Sequence, residues 1–242
     1  MRLDQVLVQR NLCESREEAK ECIEKGYVLL NGVIETKKTR QIDNSSIIIL
    51  TGKRKFVSRG GNKLEGAFMH IYKNEESIRS HIEDKKALDV GSSTGGFTDC
   101  LLLYGVDTVT AVDVGSNQFH TKLQDNSRVT LFENTDIRNF PQDQTFDYIV
   151  ADLSFISLEK VIDTIFHFTH EGTELFLLIK PQFEVGKGNT KKGIVKDKIL
   201  VDKVLTKYTS IFIEKNLYNI EIFLCTIEGG DGNQEYFIYG KL

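Results

Sequence analysis

From Lys86 onward the chain alternates between short apolar runs and longer segments in which apolar residues recur every three or four positions. "KALDVG", "TVTAVDV", "RVTLFEN", "FDYIVADLS" and "ELFLLIKP" have the length and composition of strands. Between and after them, "FTDCLLLYG", "SLEKVIDTIFHF" and "KILVDKVLTKYTSIFIEKN" carry helical spacing. Such alternation predicts an α/β fold, a doubly wound parallel sheet with helices on both faces. "YNIEIFLCTI" and "QEYFIYGKL" close the chain without a helix between them, so the last pair is expected to be antiparallel.

The first fifty residues read differently. "RLDQVLVQRN" sets Leu3, Val6, Leu7 and Arg10 at helical spacing, and "SREEAKECIEKG" follows. There Ser15 is placed to cap a helix, Glu18 completes the capping box three residues on, and Gly26 ends it. "YVLLNGVI" reads as strand, Asn-Gly turn and returning strand, and "IDNSSIIIL" supplies another short strand. "TGKRKFVSR" is basic and lacks apolar periodicity. It marks a boundary that divides the chain into a small α+β domain over 1–55 and a larger α/β domain over 56–242. No internal repeat is visible.

Composition narrows the classes. An apolar share of 40% with 15 Phe supports a packed core. No run approaches a membrane span, and the start lacks a signal-peptide core, so a cytoplasmic protein is expected. Cys13, Cys22, Cys100 and Cys225 are scattered without CxxC spacing, which points to free thiols instead of a disulfide frame or a zinc site. The net charge of −4 is uneven: residues 1–60 hold 12 Lys and Arg against 8 Asp and Glu, leaving +4, while the rest hold 19 against 27, leaving −8. A basic head on an acidic body suits contact with a polyanion, although chance unevenness explains the charge alone equally well.

"DVGSSTGGF" ends one strand and opens a helix, where an open α/β sheet binds its ligand. Gly91, Gly95 and Gly96 let the main chain approach a ligand closely. The turn is not GxxxxGK[ST], which disfavours a nucleotide hydrolase, and it is not a clean GxGxxG. Asp113 ends the next strand and suits a ribose diol. Asp136 ends the third and is placed to accept from an adenine amino group, and Asp152 ends the fourth. Each acid alone reads best as a strand-end cap. Three together beside this turn fit S-adenosyl-L-methionine, whose sulfonium favours an acidic crevice where a pyrophosphate would be repelled. The expected cofactor contacts are Asp89, Gly91, Ser93, Thr94, Gly95, Gly96, Phe97, Asp113, Asp136 and Asp152.

Around this crevice lie "SRGGNKLEGA", "LLIKPQFEVGK" and "GNQEYFIYG". Lys180, behind "ELFLLI", should be partly desolvated, which favours its neutral, basic form, although a lone strand-end lysine is usually a solvated tip. The five histidines coincide with none of these segments; His167 and His170 share a helical face without a third ligand, so no metal is expected.

"VSRGGNKLEGAF", "LDVGSSTGGFTD", "AVDVGSNQF", "DLSFISL", "IKPQFEVGK" and "GNQEYF", taken in order, resemble the TlyA family of ribosomal RNA ribose 2′-O-methyltransferases, sometimes labelled haemolysin A, over nearly the whole chain. That resemblance implies a Rossmann-like class I S-adenosylmethionine-dependent methyltransferase domain of FtsJ (RrmJ) type, preceded by an S4-like RNA-binding domain. It implies a catalytic tetrad at Lys63, Asp152, Lys180 and Glu235, with Lys180 held by Asp152 and Glu235 and the substrate ribose positioned by Lys63. It also implies ribosomal RNA within ribosomal subunits as the partner, with a cytidine of the large subunit, or of both large and small subunits, as the target. Asp136 stands where family members often have Asn, and "CTIEGGDGNQEYF" replaces the usual Ser-Pro-containing approach to the last motif.

An S4-like head is expected to bind structured RNA through phosphates. The candidates are Arg2, Arg16, Lys20, Lys37, Lys38 and Arg40, with Arg59 beyond the linker and Lys53, Arg54 and Lys55 within it. Singly, each reads more readily as a solvated surface charge. The competing readings are a small-molecule methyltransferase, a membrane-lytic haemolysin and a non-catalytic RNA-binding assembly factor. The oligomeric state is not legible.

Overall fold

The computed structural model describes residues 1–242 except 44, 53, 142, 187, 230 and 231, so Lys53 of the basic linker lies outside the described residues. The chain forms two compact units, Met1–Ser58 and Arg59–Leu242.

In the first unit, α1 (Leu3–Gln9) and α2 (Arg16–Glu24) precede β1 (Val28–Leu30), β2 (Val33–Ile34) and β3 (Ile48–Leu50). Ser15 caps α2 by accepting the Glu18 N–H at 3.1 Å, while the Glu18 carboxylate reaches the Glu14 N–H one residue before the cap. Asn31 and Gly32 both have positive φ, 51° and 83°, as the two-residue hairpin between β1 and β2 requires. The three strands pair antiparallel in the order β2-β1-β3. Leu3, Leu7, Ala19, Ile23 and Val28 are sealed in a core between the helices and the sheet.

The second unit opens with two helices, α3 (Arg59–Tyr72) and α4 (Glu75–Ile82). Then come β4 (Lys86–Val90), α5 (Gly96–Tyr104), β5 (Thr108–Val112), α6 (Thr121–Gln124), β6 (Val129–Phe132), β7 (Tyr148–Ala151) and α7 (Ile162–His167). The chain finishes with β8 (Glu174–Ile179), α8 (Pro181–Glu184), α9 (Lys198–Glu214), β9 (Tyr218–Leu224) and β10 (Tyr236–Lys241). The sheet order is β6-β5-β4-β7-β8-β10-β9, with β4 to β8 parallel and β10 antiparallel to both neighbours. The expected antiparallel closing pair is therefore present, and β10 is inserted beside β8.

This topology makes the site. The chain runs outward from β4 to β6, then returns to β7 on the other side of β4, so the crevice beyond β4 is the point where strand order reverses. Burial of Leu88, Val90, Ile149, Leu177 and Ile179 holds the strand ends in register there. Among the described residues no helix is long and apolar enough to cross a membrane, and no cluster of three His, Cys, Asp or Glu is arranged to hold a metal.

Candidate active site

Beyond β4 lies a cleft of about 500 Å³, lined by Gly91, Ser93, Asp113, Asp136 and Asp152 of the expected contacts. Gly91 has φ +80°, and a Cβ there would stand 3.0 Å from the Asp152 carbonyl oxygen and 3.1 Å from the Leu153 side chain. Only glycine lets this turn close against the strand opposite it. Asp113 ties the turn to its own loop, accepting the Ser93 N–H at 2.7 Å and the Gly115 N–H at 2.6 Å. Each carboxylate oxygen keeps a second lone pair for an incoming hydroxyl. Asp136 accepts a forked guanidinium from Arg138, whose hydrogen bonds hold this carboxyl below the usual carboxylate range.

The other expected contacts lie beneath the cleft or beside it. Thr94, Gly95 and Gly96 carry the chain into α5. Phe97 turns into the core and stacks with Phe237. Asp89 is fully buried under the turn; Thr98 donates to one carboxylate oxygen at 2.6 Å, and the other oxygen has no partner. Burial, reinforced by the charges of Asp152 and Asp113, pushes its pKa up to about 7. Ser92 is also buried with its hydroxyl unpartnered. Two orphaned polar atoms, a cradle closed to any Cβ and an acidic wall suit a polar, cationic ligand such as S-adenosyl-L-methionine. Sequence reasoning missed the apolar walls, among them Val114, Ile137 and Leu153. Their only signal is that they directly follow three of the acids.

The lysines and acids of the four motifs converge beside this cleft. Lys63, in the second turn of α3, reaches Glu235 Oε2 at 2.6 Å and Asp152 Oδ2 at 3.9 Å. The other Asp152 oxygen pairs with Lys180 Nζ at 2.5 Å, and Lys180 also donates to Ser154 Oγ at 2.8 Å. The groups form a chain of alternating charge: Glu235, Lys63, Asp152, Lys180. Both lysines are only 7% exposed and Glu235 only 2%. Burial alone would lower the Lys63 pKa, but Asp152 and Glu235 outweigh it and hold it above the ordinary lysine value. Lys63 is therefore a fixed cation.

One expected contact is corrected. Glu235 does not hold Lys180; it pairs with Lys63, because α3 brings that ammonium between the two acids and leaves Lys180 the other oxygen of Asp152. The loop before Glu235 accommodates this through Gly229, where a Cβ would stand 2.6 Å from Glu235 Oε1.

Behind the tetrad, α8 acts as a clasp. Pro181 at its first position stops β8 directly after Lys180. Glu184 accepts the Ser157 hydroxyl at 2.6 Å, the Leu158 N–H at 2.8 Å and the Tyr208 hydroxyl at 2.6 Å. The loop so held carries Ser154 and Phe155. Phe155 has φ +66° and is 93% exposed at the cleft rim, with Phe183 of α8 beside it at 5.5 Å.

In the first unit most candidate RNA contacts are paired with acids. Arg2 and Arg16 converge on buried Asp4, Lys20 meets Glu17, Lys38 meets Glu24 and Arg40 meets Glu35. Arg54 is tied to Glu21 at 2.7 Å. Lys37 and Arg59 are exposed.

Residues 56–242 match the family described as FtsJ-like methyltransferase, and residues 1–43 match the S4 domain. Hemolysin A of Brachyspira hyodysenteriae is 37% identical over 244 residues, covering 99% of each chain. The Campylobacter jejuni protein named 23S rRNA (cytidine-2′-O)-methyltransferase TlyA is 37% identical over 264 residues, covering 99% of this chain and 98% of its own. A solved structure from Streptococcus thermophilus, described under the haemolysin name, superposes with a TM-score of 0.72 at 32% identity, covering 100% of this chain and 88% of that one.

Proposed function

The chain belongs to the TlyA family, an S4 domain followed by an FtsJ-like methyltransferase domain, and we propose its reaction on that footing. The reaction is methylation of the ribose 2′-hydroxyl of a cytidine in ribosomal RNA, in the large subunit, with S-adenosyl-L-methionine as donor. Such an enzyme works in the cytoplasm, on ribosomal subunits. The observation that carries this reading is the buried chain of ion pairs, drawn from four distant segments and set beside the cleft.

The donor supplies an electrophilic methyl group on a positively charged sulfur. Asp113 suits its ribose diol, Asp136 and the apolar wall of Val114 and Ile137 its adenine, and the Gly91 turn its amino-acid end. The residues of the chain must then solve a problem of nucleophilicity. A ribose hydroxyl is a weak nucleophile at neutral pH and has to lose its proton as its oxygen attacks. Lys180 is assigned that proton: as the resting ammonium it first releases its own proton to solvent, and as the neutral amine it then accepts the hydroxyl's, with Asp152 stabilising the ammonium so re-formed. Lys63 is assigned the sugar: a cation locked between two acids is a rigid donor, and alignment of the attacking oxygen with the methyl–sulfur bond supplies much of the rate. Phe155 offers an exposed ring to the base of a nucleotide drawn out of its stack. The S4 head supplies phosphate contacts, with Lys37 its readiest cation, and Arg59 at the start of α3 offers another from the second unit.

The test is direct. Wild-type protein is incubated with methyl-labelled donor and unmodified ribosomal subunits, and the labelled nucleotide is mapped. Label on a cytidine 2′-oxygen is expected. Label on a base, or none from folded protein that binds the donor, would reject the reading.

A further inference from the structure

A second cavity, of about 480 Å³, lies on the far side of the tetrad from the cofactor cleft and shares no lining residue with it. Pro181, Gln234 and Tyr236 line it. Pro181 adjoins Lys180, and the other two bracket Glu235, so the cavity wall stands one residue from two members of the tetrad. Its volume falls within the range of small-ligand pockets, roughly 300 to 1,000 Å³.

Its chemistry is divided. Leu224, 57% exposed at the end of β9, and Tyr236 provide an apolar and aromatic wall. Lys196 and Lys198 stand on the rim, both exposed and neither with an acidic partner among the described residues. They differ in this from the candidate cations of the first unit, most of which are paired. Asp202 also faces the cavity, and Asp197 between the two lysines caps α9 by accepting the Ile199 and Leu200 N–H groups, so the lysines offer two point contacts and not a net positive field. The rim is anchored: Asn233, 2% exposed, accepts the Val195 N–H at 3.1 Å and donates to the Gly193 carbonyl at 2.9 Å, fixing the segment that leads into Lys196. An apolar and aromatic wall beside an anchored rim that bears two exposed lysines is the combination that takes an unpaired nucleotide, base against the wall and phosphate at the rim.

We infer that this cavity seats a ribonucleotide adjoining the methylated one, so that the RNA strand passes over the tetrad with one nucleotide at each cavity. The inference rests on the proposed function and adds a second unstacked nucleotide to it. A strand threaded this way is held on both sides of the reacting sugar, which aligns the hydroxyl more tightly than one pocket can.

The test uses the full chain with ribosomal subunits and reads KM and kcat for RNA methylation together with calorimetric donor affinity. Lys196→Glu/Lys198→Glu is expected to raise the RNA KM about tenfold or more, with kcat and donor affinity within about twofold. Its salt dependence should also fall, by about 0.7 in the slope of log affinity against log salt for one phosphate released. Leu224→Glu, at an exposed position, should raise KM in the same way with an unchanged melting temperature. Lys203→Glu, on α9 but outside the cavity, should change KM less than twofold. The inference is overturned if the double variant keeps a wild-type KM, or if Lys203→Glu raises it equally, because the effect would then belong to the general field of the surface. Absence of methylation by the wild-type protein would instead sink the proposed function.

Discussion

Lys63 and Glu235 are 172 residues apart in the chain and meet at 2.6 Å in a buried ion pair. The pair ties the helix that opens the second unit to the strand that closes it. Breaking a buried pair by removing one partner costs about 3–5 kcal/mol, because the remaining charge is stranded. Lys63→Met is therefore expected to lower stability by that amount in denaturant melts, and Lys63→Met/Glu235→Gln by less than the sum of the single changes. The sign of the pH dependence follows from the raised Lys63 pKa. Its contribution is fully present below the unfolded-chain value and is lost only as pH rises through the higher folded value. The gap in melting temperature between wild type and Lys63→Met should not narrow as pH rises from about 6 to about 9. A gap that closes within that range would show that Lys63 titrates there and is no fixed cation.

Lys180 is distinguished from Lys63 by what its loss leaves behind. With Lys180 removed, Asp152 is partly exposed and still faces Lys63, so little charge is stranded. Lys180→Ala should abolish methyl transfer while leaving the fold and calorimetric donor binding near wild type. Lys180→Arg keeps the charge but cannot give up its proton, and it should be as inactive as the alanine variant. Turnover by the arginine variant would remove proton acceptance from Lys180 and leave it a steering role.

Asp89 predicts a pH effect of opposite character. Its folded pKa of about 7 lies above the ordinary carboxyl value, so the native state holds a proton that the unfolded chain has released. The contribution of Asp89 to stability is then greatest at acid pH and falls by about 4 kcal/mol as pH rises from about 4 to about 7. Asp89→Asn keeps an acceptor for Thr98 and removes the ionisation. The variant should match wild type near pH 4 and exceed it at pH 8, with the difference between the two growing over that range. Equal stability of the two proteins at pH 8 would mean that Asp89 ionises in place without penalty.

These residues also show which parts of the structure the sequence exposes. The parallel strands were legible because each is a compact apolar run, and the crevice because "DVGSSTGGF" combines turn glycines with a strand end. α3 was not anticipated. "RGGNKLEGAFMHIY" contains three glycines, which weaken helix propensity, yet the helix forms because Leu64, Ala67, Phe68 and Tyr72 bury a stripe at helical spacing. The partner of Glu235 was equally hidden. It depends on α3 placing Lys63 between two acids, a long-range packing outcome with no local signature. Charge counts failed in a similar way, since a surplus of cations in the head says nothing of the acids that Arg2, Arg16, Lys20, Lys38 and Arg40 already face.

Glu184 provides the last prediction, because it touches neither cleft nor tetrad yet fixes the loop between them. Its carboxylate receives three donors, and Tyr208, one of them, is fully buried. Glu184→Ala would strand the Tyr208 hydroxyl and the Leu158 N–H, at about 1–3 kcal/mol for each buried group. The stability loss should therefore be about 2–6 kcal/mol. Glu184→Gln keeps a side-chain oxygen for part of this set and should lose less. The functional consequence separates a positioning role from a purely structural one. The same loop carries Ser154, which accepts from Lys180, and Phe155 at the rim. If the clasp sets both, Glu184→Gln should raise the RNA KM and lower kcat at temperatures where the protein is fully folded, with donor affinity unchanged. A folded Gln variant with wild-type KM and kcat would limit Glu184 to holding the fold.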